Sequence, residues 1–337
     1  MLRMADKNSW VTRARSIADE VLFPAAMTVE RADRIPPAHL DLLAAEGFYG
    51  IPAPAEYGGA GPGPSHVLAD VIATLAGGCL TTAFVWLQHL APLMAVATVA
   101  EPGDRERWLR PLAEGRVRAG LAMARPELIR VRAVPGGYRL TGESAWVTGW
   151  GLVDILLVGG VDDRGVLHFF LVDARESDTL TPRPVDLMAV QASRTVSLRF
   201  ADHFVPAERL GRTEPLDRFA ASETGWTAMN GFLALGVAGR CARLLGADDL
   251  DADIADARLQ LLTASGDELA EARAGASLLA GRAAARLMVQ TGSRSVLAEQ
   301  HAGRLYRESG FLLVFGLRPA IKERLLRRLS APVCEPV

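Results

Sequence analysis

The chain has 337 residues, and at about 150 residues per domain this length suggests two or three domains. Half of the residues are apolar and 23% are charged, a composition that excludes an intrinsically disordered chain. The formal net charge of -2 argues against a nucleic-acid-binding protein, because a basic surface supplies most of the affinity for nucleic acids.

The three cysteines, Cys79, Cys241 and Cys334, lie far apart and are odd in number. They predict neither a disulfide framework nor a metal cluster, and so favour a reducing cytosol. The amino terminus has no apolar segment of the kind found in signal peptides. The most apolar stretch, residues 82–100, contains polar residues and predicts a buried core helix rather than a membrane span. We therefore expect a cytoplasmic protein.

Helical periodicity dominates residues 10–115, where apolar side chains recur at the spacing of 3.6 residues. The stretch at residues 51–64 interrupts this pattern, because it is too rich in Pro and Gly for the interior of a helix or strand. Ser65 is typical of an N-cap and predicts a helix that runs to about Ala76.

The periodicity changes toward two between residues 117 and 210. Gly136 and Gly137 signal a hairpin turn, and short apolar or alternating runs predict strands at residues 155–158, 167–172 and 195–200. This spacing of strands and turns indicates a sheet or barrel-like β domain rather than βαβ units.

From residue 219 to residue 329 the pattern is helical again, with breaks near residues 246–251, 263–267, 292 and 316–319. These breaks predict four or five helices, enough for a bundle. The predicted fold class is α+β. It comprises an N-terminal helical domain at residues 1–115, a middle β domain at residues 116–213, and a shortened C-terminal helical bundle at residues 214–337.

Four sequence strings resemble those of the acyl-CoA dehydrogenase family in order and spacing. They are GIPAPAEYGGAG at residues 50–61, TAFVWLQH at 82–89, GESAWVT at 142–148, and VQASRTVSLRFADHFVPAERL at 190–210. A weaker similarity resumes at residues 301–329. With the helical, β and helical order, the strings identify the chain as a divergent, C-terminally shortened member of that family.

The resemblance implies a protein that binds FAD and oxidises an acyl thioester carried by CoA or by a carrier protein. Trp146, Val147 and Thr148 would lie against the isoalloxazine ring, with the Thr148 hydroxyl and backbone amides donating hydrogen bonds to it. Such donors stabilise the negative charge that reduction places on the ring. Backbone amides of Met123 and Ala124 would donate to the pyrimidine edge of the ring.

The chain also departs from the family pattern at the flavin. Where the family has Leu-Thr-Glu-Pro, this chain has Met-Ala-Arg-Pro at residues 123–126, so a hydroxyl is replaced by Ala124. The Arg-x-x-Phe-Gly segment that grips the FAD pyrophosphate is absent after residue 246. The acidic run at residues 248–253 would repel a pyrophosphate and predicts a solvated helix N-terminus instead.

The family's catalytic carboxylate is missing at both of its usual positions, which fall here at residues 314–319 and at Met229 or Asn230. Abstraction of the proton α to a thioester needs such a base. Glu223 and His89 are the candidate substitutes, with Asp202 and His203 as further ones.

Arg304 and Arg307 lie three residues apart, and so on one face, in a predicted helix of the bundle. They favour a structural pairing with acidic groups over phosphate binding.

Three hypotheses for the function follow. The first is an FAD-dependent oxidoreductase acting on an acyl thioester, for which secondary metabolism is one setting. The second is a flavin-dependent monooxygenase of the same fold, which needs no α-proton base. The third is a flavin-free member that acts as a binding subunit or in a non-redox step. As partners we expect a small-molecule or carrier-bound substrate, an electron-transfer partner and a second copy of the chain, because the family forms dimers or tetramers through its bundle.

Overall fold

A computed structural model describes residues 7–61, 65–99, 105–222 and 224–330. It divides into two compact units. The first unit contains residues 1–13, 28–68 and 81–222, and the second contains residues 14–27, 69–80 and 223–337.

Helices make up the first part of the chain. They are α1 (Lys7–Ile17), α2 (Phe23–Arg31), α3 (Pro37–Ala45), α4 (His66–Gly78), α5 (Leu80–Val99) and α6 (Arg110–Ala113), with π-helical turns at Ala18–Leu22 and Arg105–Leu109. The predicted cap is confirmed, since the Leu68 N–H donates to the Ser65 Oγ at 3.1 Å. The prediction of a core helix for the most apolar stretch corresponds to α5. This helix is long and apolar enough to cross a membrane by length and composition alone, yet 72% of it is buried within the structure.

Eight strands of the described residues form one mixed sheet in the first unit. They are β1 (Ala119–Ala122), β2 (Ile129–Val134), β3 (Gly137–Val147), β4 (Ile155–Val161), β5 (Val166–Asp173), β6 (Leu180–Pro184), β7 (Val196–Pro206) and β8 (Leu210–Pro215). The order is β6-β7-β3-β2-β4-β5-β8, with β1 paired to β4. The pairs β1–β4 and β2–β4 are parallel, and the others are antiparallel.

Two apolar clusters explain the strand patterns. On one side of the sheet, alternate residues of β2, β3 and β7, such as Val131, Leu140 and Phe200, turn into a shared core. A second cluster buries the opposite faces of β4 and β5, which include Leu157 and Phe169. These two strands are therefore continuous apolar runs, because both of their faces are buried.

Helices return after the sheet. They are α7 (Leu216–Ser222), α8 (Thr224–Leu245), α9 (Asp248–Thr263), α10 (Gly266–Thr291), α11 (His301–Val314) and α12 (Pro319–Leu329). The five from α8 onward follow the breaks that the sequence predicts. The helical, β and helical order confirms the predicted fold class, whereas the exact domain boundaries stay a prediction.

Small residues let α4 and α8 approach closely within the second unit. A Cβ built on Gly236 would lie 2.2 Å from the Ala73 carbonyl oxygen, and one built on Gly77 would lie 2.9 Å from the Gly236 oxygen. The two backbones are therefore in direct contact, and neither glycine has room for a side chain.

Candidate functional site

The end of β3 carries the segment that the resemblance places against a flavin. Trp146 has a φ of 62°, and the register of β3 against β7 shifts between Ser144 and Val147. This bulge leaves the Trp146 indole 61% exposed while Val147 is fully buried. A left-handed conformation at a bulky residue costs about 1 to 3 kcal/mol and points to a functional role for the residue that adopts it.

A row of buried hydroxyls lies behind this segment. The Thr148 Oγ1 is 3.1 Å from the Thr195 Oγ1, which is 2.8 Å from the Ser193 Oγ. All three side chains are buried. A hydroxyl has one proton to donate and two lone pairs to accept with. If Ser193 donates to Thr195 and Thr195 to Thr148, the Thr148 proton stays available for an acceptor outside the row.

The predicted pyrimidine-edge residues follow β1 directly. The Met123 thioether packs against β4, where a Cβ built on Gly159 would lie 2.6 Å from its sulfur. Ala124 is exposed, and its N–H has no partner among the residues that the structure describes. Arg125 has a φ of 62° and pairs with Glu127 at 2.9 Å. A backbone donor is thus present at Ala124, although the family's hydroxyl is absent.

Two further residues near the hydroxyl row adopt left-handed conformations. Val190 and Arg194, with φ values of 55° and 56°, flank the 3-10 turn at Gln191–Ser193. Backbone bonds join this turn to the end of β3, since the Gly149 N–H donates to the Ser193 oxygen at 2.9 Å and the Trp150 N–H to the Arg194 oxygen at 3.1 Å. Backbone strain is therefore concentrated around Thr148, as at many ligand sites.

His89 lies on α5 in the core of the first unit and is 1% exposed. Its Nδ1 accepts a hydrogen bond from the Ala119 N–H at 3.0 Å, so its Nε2 carries the proton and donates to the Leu112 carbonyl at 3.1 Å. Burial lowers the pKa of His89 to about 3. Both ring nitrogens are already engaged by backbone groups, so His89 is a structural residue and not a free base.

The depressed pKa of His89 predicts an acid-sensitive fold. An unfolded histidine has a pKa near 6.5, so between about pH 6.5 and 3 the unfolded chain binds a proton that the folded chain does not. Stability is therefore lost as the pH falls through this window, by up to about 1.4 kcal/mol per pH unit from this residue. Denaturant unfolding at several pH values gives the free energy of unfolding of the wild type and of H89Q. This free energy should fall less steeply with decreasing pH in H89Q. Equal slopes would contradict this account of His89.

The other candidate bases are placed as follows. Glu223 lies outside the described residues. Asp202 is exposed and pairs with Arg132 at 3.3 Å. His203 is half-buried, and its Nδ1 lies 2.9 Å from the Thr179 Oγ1. In the described part of the chain, neither Asp202 nor His203 is hydrogen-bonded to Thr148, Thr195 or Ser193.

Asn230 and Gly316, which lie in the two stretches where the resemblance places the family's base, meet in the second unit. A Cβ built on Gly316 would lie 2.8 Å from the Asn230 Nδ2. Gly316 has a φ of 62°, which a glycine adopts without strain. The group present at this meeting point is therefore an amide, which is neither a base nor an acid at ordinary pH.

A buried arginine fixes the backbone that precedes Gly316. Arg273 is 2% exposed and donates to the carbonyl oxygens of Leu312 and Phe315 at 3.2 and 3.1 Å, and also to Ser277. Burial lowers its pKa to about 10. Among the described residues, no acid pairs with it. Its charge instead faces the carbonyl end of α11, where a cation is favourable.

The helices α8 and α9 are joined by Gly246 and Ala247 alone. Two acids near the start of α9 pair with arginines of α10, through Asp249–Arg286 at 2.5 Å and Asp253–Arg282. These two arginines are therefore already engaged by carboxylates.

The described part of the chain has few other groups that could form a catalytic or metal site. Cys79 and Cys241 are buried and form no disulfide, and Cys334 lies outside the described residues. No group of three or more His, Cys, Asp or Glu side chains could hold a metal ion among those residues. Two open cavities of about 430 and 480 Å³ lie on the first unit, and neither is lined by the predicted flavin residues.

Comparisons with known proteins agree with this arrangement. Residues 5–116 match the family model described as acyl-CoA dehydrogenase, N-terminal domain. The short-chain-specific acyl-CoA dehydrogenase of Clostridium acetobutylicum is 25% identical over 213 residues, which cover 58% of this chain and 55% of that protein. The structure of butyryl-CoA dehydrogenase from Megasphaera elsdenii matches with a TM-score of 0.84 at 18% identity, over 97% of each chain.

The amino-terminal domain and the overall fold are those of the acyl-CoA dehydrogenases. A second solved structure, PigA with FAD and proline, matches with a TM-score of 0.82 at 17% identity, over 96% of this chain and 97% of that one. At such identities the structural matches establish the acyl-CoA dehydrogenase fold alone. The chain spans about half the length of the curated relative that it matches.

The hydrogen-bonding partners of Thr148 could not be predicted from the sequence. Ser193 and Thr195 belong to a string that resembles the acyl-CoA dehydrogenase family, but their spacing along the chain does not show that they meet Thr148. The pairing of β3 with β7 brings them together. Alternation within the string was the available signal, since it places both hydroxyls close to the start of β7.

Proposed function

We propose that this chain is an FAD-dependent oxidoreductase that acts on an acyl thioester carried by CoA or by a carrier protein. The observation that carries the proposal is the end of β3, where Trp146 is held outward in a left-handed conformation beside the buried Thr148 hydroxyl. Bound FAD would supply a two-electron acceptor.

The residues present fit the ring of that cofactor. The Trp146 indole would contact the ring, and the Thr148 hydroxyl and the Ala124 N–H would donate hydrogen bonds to it. If Ser193 donates to Thr195 and Thr195 to Thr148, the Thr148 proton would be free to donate to the ring.

A matched pair of variants tests the role of Thr148. T148V removes one donor and is expected to weaken FAD binding about 5- to 30-fold, the equivalent of one hydrogen bond to the ligand. T141V changes an exposed threonine of the same strand and should leave the affinity unchanged. Fluorescence titration with FAD measures both variants. Equal affinities for T148V and the wild type would remove Thr148 from the site.

The amide at Asn230 favours a second candidate function. A flavin-dependent monooxygenase needs no base for an α-proton, and the described residues place no carboxylate where Asn230 meets Gly316. Anaerobic addition of butyryl-CoA to the flavin-loaded protein separates the two functions. Bleaching of the flavin supports the dehydrogenase, whereas oxygen uptake with reduced flavin and no bleaching by the thioester supports the monooxygenase.

The assembly and the compartment remain proposals as well. We propose a homodimer, which sedimentation would contradict by showing a monomer. The cytoplasmic location and the setting in secondary metabolism rest on the sequence alone.

A further inference from the structure

The outward face of β2, β3, β6 and β7 is rich in arginine. Apart from His203, the charged residues of these four strands are five arginines and two acids, which leaves a net charge of three positive on this face although the whole chain is at -2. We define the arginine face by Arg130, Arg132, Arg139, Arg183 and Arg199, with Glu143 and Asp202 among them.

The sheet register brings these residues onto one surface. Arg132 lies directly opposite Arg139 across β2 and β3, and Arg199 lies opposite Glu143 across β7 and β3. With neighbouring strands about 4.8 Å apart, four strands span about 14 Å. Like charges directly opposite one another destabilise a sheet. Stability of the fold therefore does not explain why the arginines gather here.

The two acids offset only part of the positive charge. Asp202 lies 3.3 Å from Arg132 and 3.6 Å from Arg139, and Glu143 lies 3.5 Å from Arg183. Most of these side chains are more than half exposed, so the pairs are weak.

Two of the arginines have no such pair. Among the described residues, no acid lies within ion-pair distance of Arg130 or Arg199, and both are exposed. The face therefore presents a positive field to solvent.

An aromatic side chain and a recess adjoin the charges. The Arg139 guanidinium lies 5.4 Å from the centre of the Phe204 ring, which is 40% exposed. Phe204 also lines the cavity of about 430 Å³, whose charged residues, Arg175, Arg209, Asp173 and Glu176, balance one another. Arginine and aromatic residues are enriched in protein–protein interfaces, where they often supply most of the binding energy.

We propose that the arginine face docks a small acidic carrier protein that brings the acyl thioester, an inference that rests on the proposed function. Charges spread over four strands fit many carboxylates on a protein surface better than the few clustered phosphates of a free CoA. A standard interface of about 800 Å² per partner is close to 30 Å across. Because Arg139 and Trp146 lie on one strand, about 23 Å apart, such a partner would reach the candidate flavin residues.

Binding of a labelled acyl carrier protein, an acidic holo form from bacterial fatty-acid synthesis, tests this inference. Fluorescence anisotropy is measured at low salt and at about 200 mM salt, where electrostatic association weakens. The variant R130Q/R132Q/R199Q is expected to bind at least 10-fold more weakly than the wild type. The control R15Q/R31Q/R294Q removes the same charge from exposed arginines of helical segments and should change the affinity less than 2-fold.

Several outcomes would overturn the inference. They are no binding to the wild type, equal loss in both triple variants, displacement by free CoA, and equally tight binding of duplex DNA. Thermal melting confirms that both triple variants fold. The assay needs neither FAD nor turnover, so a failure of docking and a failure of the proposed redox function are seen separately.

Discussion

Replacing Glu308 with Ala is expected to lower the free energy of unfolding by about 3 to 5 kcal/mol, because the change removes a carboxylate that pairs with a buried guanidinium. Glu308 and Arg304 are four residues apart on α11, joined at 2.6 Å, with side chains only 4% and 1% exposed. Arg304 also donates to the His301 Nδ1 at 3.3 Å. A total stability of about 5 to 15 kcal/mol makes this loss a large fraction of the whole. Urea unfolding measures it.

Two control variants test whether the loss comes from the burial of the ion pair. E106A removes the acid of another i,i+4 pair, Glu106–Arg110, which is exposed to solvent, and should hardly change the stability. The double variant R304M/E308L removes both buried charges and should recover most of what E308A loses. An E308A protein as stable as the wild type would show that the Arg304–Glu308 pair is not buried in solution.

The second large effect is expected at Gly236. In G236A the new Cβ would lie 2.2 Å from the Ala73 oxygen and 2.8 Å from the Ala76 Cβ, so α4 and α8 must move apart. Overpacking of this kind costs about 1 to 3 kcal/mol. We expect a lower melting temperature for G236A, as measured by circular dichroism.

Gly239, one turn further along α8, provides the matched control. A Cβ built there meets nothing within 4 Å. G239A should therefore raise the stability by up to about 1 kcal/mol, since Ala is the better helix former. Equal effects of G236A and G239A would contradict the close approach of α4 and α8.

Local patterns in the sequence predict most of the elements. The Ser65 cap, the turn at Gly136 and the breaks near residues 246, 292 and 316 all correspond to ends of helices or strands in the structure. The strand β6 was not predicted, because Pro182 and Pro184 weaken its strand signal. These prolines are tolerated because β6 lies at the edge of the sheet. The π-helical turn at Ala18–Leu22 has no local signal that distinguishes it from the flanking helices.

The candidate site is less predictable than the fold. The expected structural role of Arg304 agrees with its buried pair, although its partner, Glu308, was not predicted. The hydroxyl row at Thr148 and the contact between Asn230 and Gly316 join residues that are far apart in the chain. Tertiary packing alone brings such residues together, so no local pattern could reveal them.

The departures from the acyl-CoA dehydrogenase family fall in different places and have different consequences. Ala124 removes one hydroxyl but keeps a backbone donor, which is compatible with a bound flavin. The resemblance places the family's base at Met229 or Asn230, and an amide or a thioether there would affect the reaction rather than the cofactor. Retention of the flavin and a change of chemistry are therefore compatible in this chain.

The visible absorbance spectrum of the purified protein, before and after addition of excess FAD and removal of the unbound cofactor, tests the central claim most directly. The account predicts flavin bands in a ratio of one cofactor to one chain, perturbed by the Trp146 indole and weakened in T148V. A folded but colourless protein that retains no FAD would contradict it, and the exposed Trp146 would then need another ligand.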